Sequence, residues 1–186
     1  LAGLPVIASV VTARSPGALD DASGVATVLL AAEAAGDAPL GVLLTSAEEL
    51  GLAGARAWVA QRGARGEAPG IALNVDGVDD AGTLTAMVGA RAPRAVVHAL
   101  REAARDAGVV LGVRRLVPGI LVDAVALGAG GWATLTLSRG TWRTLARIHT
   151  PADTVDRLDG HGIAEAAAVL ARAARALAAQ EGVVHV

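Results

Sequence analysis

Two adjacent carboxylates, Glu48 and Glu49, stand in the stretch Thr-Ser-Ala-Glu-Glu-Leu-Gly over Thr45–Gly51, directly after the run Leu40, Gly41, Val42, Leu43, Leu44. Negative charges at the end of a buried strand are costly unless protons or a cation neutralise them. If one carboxylate binds a metal, its neighbour is free beside it to take a proton from water. That is the division of labour a hydrolytic metal centre needs. The alternative is a solvated first turn, since acids at a helix N-terminus favour the macrodipole. Three further residues bear on the choice. Asp20 opens a helix after a loop, Asp76 follows a short β-like run in Leu-Asn-Val-Asp-Gly, and His149 stands in Ile-His-Thr-Pro-Ala-Asp-Thr. The chain contains no cysteine, so a metal here must be held by His, Asp and Glu. Such a donor set suits zinc in a hydrolytic site.

The elements that must position these residues alternate between short β-like runs and alanine-rich helices. Strands are expected at Pro5–Thr12, Leu40–Thr45, Ile71–Val75, Thr83–Val88 (at an edge), Val109–Val113 and Trp132–Leu137. Helices are expected at Ala22–Ala35, Leu52–Arg62, Pro93–Ala107 and Ile163–Ala179. The third of these has one apolar face, with Pro93 at its start and Gly108 after it. Strand–helix alternation predicts an α/β three-layer sandwich, with a mostly parallel mixed β-sheet of about six strands flanked by helices. Such sheets place their chemistry outside the carboxyl ends of the strands. Asp20, Glu48, Glu49, Asp76 and His149 all fall on that rim in a parallel reading. Each alone could be a cap or a turn residue; their joint placement favours a site.

Composition narrows the function classes. A chain of 186 residues, 53% hydrophobic and 18% charged, is one domain with a real core and is not disordered. A net charge of −2 without a dense basic run argues against a nucleic-acid partner. The mean hydropathy of +0.51 invites a membrane reading. The longest uncharged stretch, Ala124–Ser138, is shorter than a span needs and is broken by glycines. No basic start leads into an apolar run and cleavage site, so no signal peptide is visible, which tilts the expected compartment toward the cytoplasm. Because the chain begins at Leu1 rather than Met, an upstream portion is expected to have been removed. The paucity of aromatic residues, three in all and each a Trp, argues against a large aromatic interface.

Four segments carry a specific resemblance. Gly17-Ala-Leu-Asp20-Asp21-Ala-Ser-Gly24 is similar to the Gly-Ala-x-Asp-Asn-x-Ser-Gly signature of the zinc aminopeptidase family that also includes glutamate carboxypeptidase and glutaminyl cyclase. Ser46-Ala-Glu48-Glu49-Leu-Gly-Leu-Ala-Gly-Ala-Arg56 resembles that family's Glu-Glu-x-Gly-Leu-x-Gly-Ser-x segment. Leu73-Asn74-Val75-Asp76-Gly77 resembles its Asn-x-Asp segment, and His149-Thr-Pro-Ala-Asp-Thr154 its closing His-Thr-x-x-Asp-Thr. The segments come in the family's order. Carried over by position, the resemblance implies that Asp20 bridges two zinc ions and Glu48 is the general base. It further implies that Glu49 and His149 hold one zinc and that Asp76 holds the other. Asp153 and Asp123 are read as supporting groups or caps rather than ligands.

The sequence departs from the family at one point. Where the family has a His-x-Asp segment ending its strand, this chain reads Ala8-Ser9-Val10-Val11-Thr12, with Ser9 at the histidine and Val11 at the aspartate. His98, His161 and His185 do not compensate; all three read as surface residues. One zinc is then left with only Asp20 and Asp76, a weak set, while the other keeps Asp20, Glu49 and His149 and an open position. The expectation is therefore one tightly bound zinc, with a second weak or absent. The leading reading is a metal-dependent exopeptidase, an aminopeptidase acting on a peptide or small amide. The alternatives are a single-zinc enzyme similar to glutaminyl cyclase and a non-catalytic binding member of the family. Retention of Glu48 argues against the last. The run Ser138-Arg-Gly-Thr-Trp142-Arg143 supplies either a wall and carboxylate clamp for substrate or an ordinary loop.

Overall fold

The computed structural model describes residues 14–89, 93–117, 119–181 and 184–185. The expected first strand, Pro5–Thr12, with Ser9 and Val11, lies outside the described residues. Six strands form one sheet in the order β1-β6-β2-β5-β3-β4, namely β1 (Leu40–Gly41), β2 (Ile71–Val78), β3 (Thr83–Val88), β4 (Leu111–Arg115), β5 (Ala133–Gly140) and β6 (Val184–His185). The pairs β1/β6, β6/β2 and β2/β5 are parallel. β3 runs antiparallel to β5, and β4 parallel to β3. The sheet is mixed as expected, but Thr83–Val88 is not an edge strand; β4 takes the edge. Val109 does not begin β4, because its N–H turns back to the Ala104 carbonyl (2.8 Å) and closes the preceding helix. The expected strand over residues 40–45 pairs only at Leu40–Gly41. Beyond it Val42 and Leu44 are exposed, without a ladder among the described residues.

Alternation along the strands sorts the two faces of the sheet. Ile71, Leu73, Val75, Leu84, Ala86, Leu135 and Leu137 face the main core. They pack against α1 (Ser23–Ala35), α3 (Arg94–Asp106) and α6 (His161–Glu181). α6 presents Ala166, Val169, Leu170, Ala173 and Leu177, all fully buried, at the helical spacing expected from its sequence. The opposite face is covered by α2 (Ala53–Ala64) and α4 (Asp123–Ala129), the latter a helix that the sequence reading did not place. There Ala72, Leu127 and Trp132 pack together with Trp58, whose ring centre lies 5.0 Å from that of Trp132. These are the three layers expected. No helix among the described residues is long and apolar enough to cross a membrane.

Candidate metal and catalytic site

Three loops at one end of the sheet bring distant residues together. The first, Ala18–Ala22, enters α1 and is stitched to the end of β2. Asp21 Oδ1 accepts from the N–H groups of Gly77 (2.8 Å) and Gly24 (3.1 Å), while Ser23 Oγ donates to the Leu19 carbonyl and accepts from Val78 N–H. The buried carboxylate of Asp153 accepts from Leu19 N–H (2.7 Å) and Asp20 N–H (3.1 Å), so it sets where Asp20 stands.

The second loop carries Glu48 and Glu49. Leu52 N–H closes on the Glu48 carbonyl (2.7 Å), Ala53 N–H on Ala47 (3.1 Å) and Gly54 N–H on Ser46 (3.0 Å). Ala47 and Leu52 both adopt positive φ, 58° and 61°, a conformation that costs a non-glycine residue of order 1 kcal/mol or more. Burial of the Leu52 side chain against Ala55 and Ala126 holds it there. Gly54 is required by close approach: a Cβ would lie 2.2 Å from the Ser46 carbonyl oxygen.

The third loop follows β5 and the short α5 (Trp142–Leu145). Buried Asp79 accepts from Thr144 Oγ1 (2.6 Å) and pairs with Arg147 Nη2 (3.0 Å), pinning the segment just before His149. His149 itself has φ 60°. Its Nε2 stands 2.9 Å from Asp20 Oδ2 and 2.5 Å from Glu49 Oε1. One donor atom from each of Asp20, Glu49 and His149 lies within 4.8 Å of the others. Glu48 and Asp76 line the same cavity, of 640 Å³, but stand outside that three-donor cluster. All five residues singled out from sequence thus border one hollow.

The electrostatics of this hollow are unbalanced. Burial first, then the charges of Asp76 and Glu49, push the Glu48 carboxyl up to about 8. Burial and the nearby Asp20 and Asp123 push Asp76 up to about 7. Burial also raises Asp20, with His149 opposing the shift. Burial and Asp76 raise Asp21 to about 8. Crowded carboxylates that hold their protons this far above the usual range are the state a divalent cation relieves. Two oxygens and one imidazole nitrogen, without thiolate, fit zinc as a three-ligand set with an open position.

Sequence reasoning missed the groups that hold these loops. Asp21, inside the segment Gly17–Gly24, and Asp79, two residues beyond Leu73–Gly77, receive no role from the sequence; their acceptor roles depend on partners 56 and 65 residues away. Asp123, read as a cap or supporting group, opens α4 and accepts from Thr45 Oγ1, just before the Glu48 loop. In the run 138–143, Arg139 is committed to Glu165 and to the Gly82 carbonyl, so it is not available as a clamp. Trp142 is exposed and forms part of the cavity wall. His161 opens α6 beside Asp159 and Asp80, away from the trio.

An α/β sandwich whose loops gather carboxylates and one imidazole at a single rim defines a class of protein with a candidate site for a divalent cation. Residues 7–174 match the description Peptidase family M28, and the chain belongs to that family. Among solved structures, the fold is similar to an aminopeptidase from Aneurinibacillus sp. strain AM-1, with a TM-score of 0.69 and 24% identity over 89% of this chain and 41% of that one. It is also similar to BSAP, a zinc aminopeptidase from Bacillus subtilis (TM-score 0.72, 23% identity, 87% of this chain and 42% of that one). A glutaminyl cyclase from an Acidobacteriales bacterium is less similar (TM-score 0.54, 19% identity, 68% of this chain and 45% of that one). The chain thus spans less than half the length of each of these relatives. A sequence search of curated proteins finds no match.

Proposed function

We propose that this chain forms the catalytic part of a metal-dependent exopeptidase, an aminopeptidase that hydrolyses N-terminal peptide bonds with Glu48 as general base. The observation that carries the reading is the convergence of Asp20, Glu49 and His149 within one donor cluster, with Glu48 beside it in the same cavity. Asp20, Glu49 and His149 would hold one zinc tightly, and Asp20 with Asp76 a second only weakly. Zinc, when bound, supplies Lewis acidity that lowers the pKa of water to about 7 and polarises the scissile carbonyl. Glu48 takes the proton from the attacking water and returns it to the leaving amine, from its place in the same cavity as the donor cluster. Asp153 fixes the Asp20 backbone, and the strained Ala47–Leu52 turn keeps Glu48 from rotating away.

Asp20 and Asp76 by themselves make a weak set for a second ion, so the single-metal reading is preferred, which also keeps the cyclase-like reading in play. A non-catalytic binding role has no use for a base beside the donor cluster. The test uses Glu48→Gln. Zinc content should be retained while turnover of leucine p-nitroanilide falls by at least about 100-fold, the usual worth of a general base. Full activity in that variant would falsify the assignment of the base, and cyclisation of glutaminyl peptides without anilide turnover would favour the cyclase-like reading.

A further inference from the structure

The cavity that contains the acidic residues also has a basic wall. On the face of the sheet opposite the main core, alternation places Asn74 and Asp76 on β2, Thr136 and Ser138 on β5, Thr85 and Met87 on β3, and Gly112 and Arg114 on β4. The neighbours Leu73, Val75, Leu84, Ala86, Leu135, Leu137 and Val113 turn to the core side. The register sets Arg114 opposite Met87, and Met87 opposite Thr136. Cross-strand partners share a face, so Arg114 projects from the same face as Asp76. Three strand spacings separate β2 from β4, about 14 Å. An arginine side chain and an amino-acid-sized substrate bridge that gap together.

Both ends of this span border one cavity, which Arg114 and Arg115 line together with Asp20, Glu48, Glu49 and His149. The other arginine on the wall, Arg139, is neutralised by Glu165, and Arg147 behind it by Asp79. Arg114 and Arg115 are exposed at the end of the edge strand and have no ion pair or hydrogen-bonded side-chain partner among the described residues. Between them and the acidic end the cavity is lined by Thr85 and Met87 of β3 and Ser138 of β5. A guanidinium without a side-chain partner among the described residues, bordering the same open hollow as an acidic centre, suits a ligand with a cationic end and an anionic end.

Resting on the reading of the site as an exopeptidase centre, we propose that Arg114 binds a substrate carboxylate, so that the enzyme selects substrates carrying a negative charge close to the scissile bond. Two sources have this chemistry: an acidic N-terminal side chain, or the free α-carboxylate of a dipeptide. The guanidinium forms a charge-assisted hydrogen bond to either, while the substrate's amine and scissile carbonyl lie at the acidic end.

The experiment compares kcat/KM of the zinc-loaded protein, Arg114→Ala and Arg114→Glu on glutamyl and leucyl p-nitroanilides, lysyl p-nitroanilide, and Leu-Gly against Leu-Gly amide. If the side chain is the source, the Glu/Leu anilide ratio falls about tenfold in Arg114→Ala and lysyl anilide gains in Arg114→Glu. If the α-carboxylate is the source, the Leu-Gly to Leu-Gly amide ratio falls instead. Calorimetric titration with L-glutamate and L-leucine supplies a readout independent of turnover, in which Arg114→Ala should bind L-glutamate about tenfold more weakly, with L-leucine unaffected if the side chain is the source and weakened alike if the α-carboxylate is. Unchanged ratios in both variants together with unchanged glutamate binding overturn the proposal. If no substrate is hydrolysed, the exopeptidase reading fails, and the titration alone decides Arg114: weakened binding of L-glutamate in Arg114→Ala upholds its role and unchanged binding overturns it.

Discussion

Asp153 offers the sharpest test of how the site is held, because it touches no proposed substrate and acts only through the backbone of Asp20. Its carboxylate, 1% exposed, accepts from Leu19 N–H at 2.7 Å and from Asp20 N–H at 3.1 Å. Asp153→Ala leaves both donors without an acceptor, at about 1–3 kcal/mol each. Removing the buried charge offsets part of this, since Asp153 also repels the Asp20 carboxylate. The net loss should be about 2–4 kcal/mol, within what a domain of this size can lose and still fold. The backbone bond from Ala18 N–H to the Asp153 carbonyl survives the change, so the loop shifts rather than unravels. Asp20 then moves relative to His149 and Glu49, and zinc affinity should fall about 10- to 100-fold, as for other groups that orient metal ligands. Asp153→Asn, which keeps one acceptor, should fall between the two. Urea unfolding in chelator measures the first quantity and competition with a zinc indicator the second. An Asp153→Ala protein of wild-type stability and wild-type zinc affinity would refute the claim that this carboxylate positions Asp20.

Two further outcomes follow from the same geometry. His149→Ala should lose tight zinc binding by at least about 100-fold, measured by the same competition, because two carboxylates without the imidazole make a weak zinc set. The metal-free protein should lose stability as pH rises. Glu48 and Asp76 sit at about 8 and about 7 in the fold against 4.5 and 3.8 as reference values, so between those limits the folded chain holds protons that the unfolded chain has released. Their contribution is fully present below about pH 4 and is lost as pH climbs through 7 and 8. Thermal unfolding in chelator should therefore show a falling Tm from about pH 5 to pH 9, and saturating zinc should remove the fall. A flat profile in chelator would mean that these carboxylates are better solvated than their burial implies.

The sequence by itself determined the layers and the cast of the site. Apolar alternation in Ile71–Val75 and Thr83–Val88, and the buried stripe of α6, are local patterns, and local patterns survive translation into structure. Glu48, Glu49, Asp20, Asp76 and His149 were legible as candidates because all fall at the ends of apolar runs on one expected rim and within four segments that resemble one family's motifs in order. Only the tertiary structure decided how β3 and β4 run, since strand direction depends on pairing and not on composition. It alone decided that Leu40 starts a ladder of two residues, that Asp123 opens a helix, and that Arg139 is spent on Glu165 while Arg114 faces the cavity. The roles of Asp21, Asp79 and Asp153 belong with these. Each depends on a hydrogen bond spanning at least 56 residues, and no local propensity encodes a partner at that distance. Residue type states what a side chain can do; which group it meets is set by the packing of the whole chain.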